Sequence, residues 1–175
     1  MRRLPLFAAA LLLGASPASA ALAPGTKAPD FSTKAVKAGK VFDFSLGQQL
    51  KKGPVVLYFF PAAFTSGCTV EANQFADATA EFARYGATVI GLAADPIDKL
   101  AKFSTSECRN KFAVGVASPS TIKAYDAKLM FGKSDRTSYF ISPQGKITAV
   151  HSKLDYRDHV PMMLKAAREW SQAQK

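Results

Sequence analysis

The sequence predicts an α/β sandwich, a central mixed sheet flanked by helices, and three observations carry that expectation. Val55 to Phe60 is a six-residue run of β-branched and aromatic residues, the composition of a strand buried on both faces. Few helix breakers interrupt Val70 to Tyr85, where Phe75, Ala78, Phe82 and Tyr85 recur at helical spacing, and Ala87 to Leu92 then reads as a second buried strand. Two such strands joined by a helix pair in parallel. Near the end, Arg136 to Ser142 and Lys146 to Ser152 flank Pro143-Gln144-Gly145, which reads as a hairpin.

The chain opens with Arg2 and Arg3, continues through a run of Leu, Phe and Ala, and reaches Ala18-Ser19-Ala20, the form of a secretory signal. Its apolar part is short for a membrane span; an uncleaved anchor is the alternative. Cleavage after Ala20 would leave residues 21–175, 155 residues that suffice for one domain and not two, in the periplasm or outside the cell. Formal net charge is +10 for the whole chain and +8 without the two signal arginines, 21 basic residues against 13 acidic. That balance raises nucleic acid or an anionic membrane as partners. The lysines are dispersed, with no run of five or more and no aromatic residues interleaved with them. The expectation is therefore a solvated basic surface that steers acidic partners, with neither nucleic acid nor membrane as a partner of the mature chain.

Within the domain, Leu22 to Gly53 reads as loop and short strands, with a turn at Gly39-Lys40 and weak alternation over Val41-Phe42-Asp43-Phe44. Gly53-Pro54 delivers the chain into the first buried strand, and Pro61, which has no amide hydrogen to extend a ladder, ends it. After a turn containing Thr65, Ser66 and Gly67, Cys68 is expected to open the first long helix. Asp95-Pro96 suits the cap and first turn of the next helix, which carries Ile97, Leu100, Ala101, Ser104 and, given enough length, Cys108 in one stripe. A short strand over Val114 to Ala117 and a short helix over Ser120 to Lys128 follow. Arg157 to Gln172 closes the chain as a helix with Val160, Met163, Leu164, Ala167 and Trp170 at helical spacing. Strands alternating with helices and ending in a hairpin indicate a sandwich of the thioredoxin class.

The chemistry concentrates at Cys68. The unpaired amides and dipole of a helix N-terminus favour negative charge, so a thiol placed there loses its proton more easily than a free one, and the thiolate is the nucleophile. Thr65, Gly67 and Pro61 surround it at a strand-to-helix turn, where sites in α/β folds concentrate.

Pro61-x-x-x-Thr65-x-x-Cys68 resembles the peroxidatic motif of the peroxiredoxins, thiol peroxidases built on a thioredoxin-like fold. Gly67-Cys68-Thr69-x-Glu71 is similar to their bacterioferritin-comigratory, or Q-type, subgroup. The likeness runs from Pro24-Gly25-x-x-Ala28-Pro29-Asp30-Phe31 to Arg136-Thr137-Ser138-Tyr139-Phe140-Ile141. It implies an N-terminal hairpin, no cofactor, and reduction of hydrogen peroxide and organic hydroperoxides. Cys68 is then the peroxidatic nucleophile. The hydroxyl of Thr65 bonds thiolate or peroxide, the amides of Gly67 and Cys68 point into the same pocket, Arg136 supplies a fixed positive charge, and Pro61 covers the sulfur.

Attack on peroxide leaves a sulfenic acid, which condenses with a second thiol or oxidises further. Cys108 is the candidate resolving cysteine; the common Q-type partner position holds Asn73, and other members place the cysteine on the following helix about one turn before Cys108. A disulfide needs Cα atoms within about 7 Å, so resolution is expected to require unravelling at one of the two helix ends. A permanent structural disulfide is the alternative. Glu71 is read as a first-turn acid with a structural role, and His151 and His159 receive none. Two cysteines without a clustered histidine make no zinc site. A periplasmic disulfide carrier would share the fold, yet Thr65 stands where such carriers place a cysteine, and a copper-delivery module would need two close sulfurs and a histidine. The resemblance further implies a thioredoxin-like reductant and a monomer. Phe60, Phe64 and Phe131 are either core or an apolar pocket for organic hydroperoxides.

Overall fold

A computed structural model describes residues 21–174, so the expected signal segment lies outside the described residues. The strand expected over Val55 to Phe60 is β3 (Val55–Phe59), and every one of its residues is buried. Because side chains alternate across a strand, Val56, Tyr58 and the following Phe60 enter one core, while Val55, Leu57 and Phe59 enter another. The first core is built with α2 (Ser66–Arg84), α3 (Ile97–Ser106) and α5 (His159–Gln172). The second is built with α1 (Leu46–Leu50) and α4 (Pro119–Ala124).

Seven strands form the sheet between these layers, in the order β2-β1-β5-β4-β3-β6-β7. β4 (Thr88–Ala93) runs parallel to β3, and β5 (Ala113–Val116) runs parallel to β4. β6 (Thr137–Ile141) lies antiparallel on the other side of β3, and β7 (Ile147–Ser152) completes the expected hairpin. β1 (Ser32–Lys37) and β2 (Lys40–Ser45) form the N-terminal hairpin against β5. The mixed sheet expected from the sequence is thus the observed one.

Tyr58 shows how closely the centre is packed. Its ring stacks on Phe60 and Phe75 and lies over Gly91, where an added Cβ would come within 2.6 Å of the ring. Only a glycine at that strand position leaves room for the tyrosine.

Several local expectations shift. The hairpin turn sits at Ala38-Gly39, one residue early, with φ of 51° and 74°. α1 lies where the sequence predicts loop: five residues are too few for a helical period to register, and the helix rests on Ser45, whose hydroxyl accepts from the Gln48 amide. α2 begins at Ser66, so Cys68 lies inside its first turn and Thr65 is its cap. Asp95 does not cap α3. Its carboxylate accepts from the Ala63 amide at 2.8 Å and from Lys99 Nζ at 2.6 Å, leaving Pro96 at the cap position. α4 starts one residue early on Pro119, capped by Ser118, and ends at Ala124, four residues short of the expected Lys128. α3 stops at Ser106, so Cys108 follows the helix instead of closing its stripe.

Candidate active site

The strand-to-helix turn after β3 and the residue that leads into β6 meet because these strands are neighbours, with Phe59 paired to Thr137. That pairing carries Arg136 to the first turn of α2. Its Nη2 donates to Cys68 Sγ at 3.4 Å, its Nη1 pairs with the Glu71 carboxylate, and its Nε donates to the Leu154 carbonyl at 2.8 Å. All three side chains, Cys68, Glu71 and Arg136, are buried. A guanidinium donor thus stands directly against the sulfur in a buried place.

Gly67 leaves room for the approach: a Cβ at that position would stand tightly, 3.3 Å from Arg136 Nη2 and 3.4 Å from the Tyr156 ring. Thr65 does not cap α2 with its side chain. Its hydroxyl donates to the Ala62 carbonyl at 2.9 Å, which leaves the oxygen's lone pairs free to accept. Asp95 anchors the same turn from the α3 side through the Ala63 amide. Pro61 lines a cleft of about 280 Å³ with Ala62, Pro96, Phe131 and Lys133.

Glu71 requires a correction. It is not a first-turn acid; it lies one turn further into α2 and faces the core. Burial pushes its carboxyl up to about 8, against the downward pull of the Arg136 charge and hydrogen bond. The signal was in the spacing: three residues after Cys68 on a helix is the same face. His159, given no role from the sequence, is fully buried behind Arg136, with Nδ1 2.7 Å from Ser138 Oγ and Nε2 2.9 Å from the Lys153 carbonyl. Nothing in the local sequence marks it, since only the pairing of β6 with β7 brings Ser138, Lys153 and the start of α5 together.

Cys108 is equally buried, and both cysteines are free thiols, so the structural disulfide is not the state observed. Burial pushes the Cys108 thiol well above its ordinary value, and the neighbouring Glu107 charge adds to the effect. The segment carrying it is tied to α2 twice, by Asn73 Nδ2 donating to Glu107 at 3.2 Å and by Arg109 pairing with Asp77 at 2.6 Å. Arg109 and Asn110 both hold positive φ, 48° and 61°. Of the three phenylalanines considered for a substrate pocket, Phe60 is core, Phe64 packs edge-on against Phe103, and Phe131 is 93% exposed. Among the described residues, no group of three or more His, Cys, Asp or Glu is placed to hold a metal ion.

The model of the AhpC/TSA family matches residues 24–150. Peroxiredoxin Bcp of Bacillus subtilis is 30% identical over 155 residues, 85% of this chain and 96% of that protein. The chain belongs to the AhpC/TSA family. The similarity to Bcp supports the Bcp-type peroxiredoxins within that family. A Mycobacterium tuberculosis protein that carries a peroxiredoxin name is 53% identical over a shorter stretch of 55 residues, which spans 31% of this chain and only 36% of the relative. Among solved structures, peroxidoxin BcpB of Mycobacterium tuberculosis superposes with a TM-score of 0.75 at 30% identity, covering 83% of this chain and 96% of that one. The reduced 2-Cys peroxiredoxin of Plasmodium vivax, at 21% identity and a TM-score of 0.78, shares the fold, covering 86% and 83%.

Proposed function

We propose that this AhpC/TSA member is a thiol peroxidase that reduces hydrogen peroxide and organic hydroperoxides. The observation that carries the reading is the Arg136 guanidinium held between the Cys68 sulfur and the Glu71 carboxylate at the start of α2. The Cys68 thiolate attacks one oxygen of the peroxide. The S–O bond forms as the O–O bond breaks, and the second oxygen leaves as hydroxide or alkoxide and takes up a proton. Arg136 and the amides of the first turn face the charge that moves from sulfur to oxygen, and Thr65, its own proton committed to Ala62, accepts the hydrogen bond of the peroxide OH. Pro61 limits water above the turn.

Cys68 sulfenic acid then condenses with Cys108 to a disulfide and water, and a thioredoxin-like dithiol reduces it. The elevated Cys108 thiol supports a coupled order of events, because it becomes a good nucleophile only once its segment leaves the core. Opening releases the Asn73–Glu107 and Asp77–Arg109 ties and relaxes two residues in left-handed backbone. Met1 to Ala20 acts as a secretory signal, which places the mature monomer in the periplasm.

Peroxide consumption with a dithiol reductant tests the reading. Wild type is expected to consume peroxide, and Cys68→Ser is expected to lose the activity. With one equivalent of peroxide, Cys108→Ser is expected to accumulate oxygen on Cys68, detected by mass spectrometry. Equal consumption by wild type and Cys68→Ser would sink it.

A further inference from the structure

Arg136 is held at three points, and they differ in stiffness. Glu71 and Cys68 both stand on α2, so two of the three partners move with one helix. The third, the Leu154 carbonyl, belongs to the irregular segment between β7 and α5, where the Leu154 side chain is 61% exposed and contributes no packing anchor. Something else must hold that carbonyl.

The preceding residue supplies the answer. Lys153 donates its amide to the Arg136 carbonyl at 3.2 Å and accepts from His159 Nε2 at 2.9 Å. A carbonyl only accepts, so Nε2 carries the proton, and Nδ1 is left with a lone pair for the Ser138 hydroxyl at 2.7 Å. Glu71 Oε1 lies 3.7 Å from Nδ1, beyond a hydrogen bond, and has no hydrogen-bond partner among the described residues. The ring is further fixed by the edge of His151, 4.6 Å between centroids. Both nitrogens of a fully buried imidazole are therefore committed, one to β6 and one to the segment that carries the third anchor of Arg136. The same segment places the Tyr156 ring against Gly67, and the His159 amide donates to the Tyr156 carbonyl at 3.3 Å.

We propose that His159 is a positioning residue for the Cys68 site, holding the Lys153-Leu154 backbone so that Arg136 keeps Nη2 on the sulfur. The proposal rests on the peroxidase reading for the reaction it serves, but its geometry is read directly from the sulfur. Alkylation of Cys68 by iodoacetamide reports the same alignment without any peroxide chemistry.

The test compares His159→Gln with His159→Asn in the full chain. A glutamine amide reaches the Nε2 position and preserves the donor to Lys153; an asparagine reaches only as far as Nδ1 and loses it. Expected is a fall of about tenfold in both alkylation and peroxide rate for His159→Asn, with His159→Gln within about twofold of wild type, the scale on which misplacement by a distant contact acts. A role confined to core packing moves both variants together, because both lose the ring. Equal rates in the two variants overturn the proposal. If His159→Asn fails to fold, Ser138→Ala, which keeps the ring and removes the partner of Nδ1, is expected to slow alkylation; an unchanged rate in that variant overturns it as well. Failure of wild type to reduce peroxide, with the Gln–Asn difference in alkylation intact, removes the peroxidase reading and leaves the positioning role standing.

Discussion

Cys68 and Cys108 are buried to the same degree, 1% and 0% exposed, in the same core cluster, and they are surrounded by opposite electrostatics. Cys68 sits in the first turn of a long helix with a guanidinium on its sulfur. Cys108 sits just past the end of α3, where the helix dipole presents its negative pole, beside Glu107. Burial alone would make both thiols inert. On the peroxidase reading proposed above, the charge that the fold carries to each sulfur is what separates the nucleophile from its partner. Tyr58 is their common wall: its buried hydroxyl has no hydrogen-bond partner among the described residues and is pushed up by desolvation, with Cys108, Glu71 and Cys68 adding.

The contrast can be broken most sharply at Arg136. Arg136→Met should lower the second-order rate of Cys68 with peroxide by roughly a hundred- to a thousandfold, the scale for losing one preorganised donor in a dry site. Stopped-flow kinetics would measure it. A rate within a factor of a few of wild type would mean that the guanidinium does not distinguish the two sulfurs. Next in size, Cys108→Ser should leave the first oxidation of Cys68 unchanged while slowing steady-state turnover with a thioredoxin-like reductant, and sulfinic acid should accumulate on Cys68. Parallel loss of both rates would assign Cys108 to the chemistry itself.

Two further changes act through structure. Gly91→Ala places a Cβ into the Tyr58 ring and should cost about 1–3 kcal/mol by overpacking, read from denaturant unfolding. Since that ring faces both thiols, alkylation of the two should rise together as the wall loosens. A comparable effect is a pH dependence specific to the Cys68 side. Burial, with His151 and Arg136 adding, holds His159 down to about 4 although its Lys153 hydrogen bond and Asp158 pull upward. Glu71 also faces the ring, its Oε1 3.7 Å from Nδ1. The unfolded histidine takes its proton first, near 6.5, so the stability that the neutral ring contributes is complete above that pH and is lost as pH falls toward 4. The stability advantage of wild type over His159→Gln should therefore shrink by up to about 3 kcal/mol across that interval. A constant difference would show that the ring is not held neutral.

The sequence made the Cys68 half of this comparison legible and left much of its support hidden. Val55 to Phe60 and the helix behind it are strong local patterns, and the order of elements follows from the crossover rule, so the sheet and the place of Cys68 could be read in advance. Arg136 was legible through the motif; its pairing is a consequence of β6 lying beside β3, a contact between distant parts of the chain. Glu71 shares a face with Cys68 by its spacing, but its partner Arg136 is 65 residues away and leaves no local sign. His159 and the Leu154 carbonyl were beyond reach, since a backbone acceptor leaves no trace in side-chain identity. Asp95 had the right neighbours for a helix cap and was drawn off by the Ala63 amide, a tertiary bond that outweighed the local one.

The most direct test is the fate of a single oxygen atom. One equivalent of hydrogen peroxide is added to the reduced Cys108→Ser protein, and peptide mass spectrometry locates the product. The account requires one added oxygen on Cys68, formed much faster than in the same protein carrying Arg136→Met. Oxygen distributed over methionines with Cys68 untouched, or a Cys68→Ser protein that removes peroxide as fast as wild type, would contradict it.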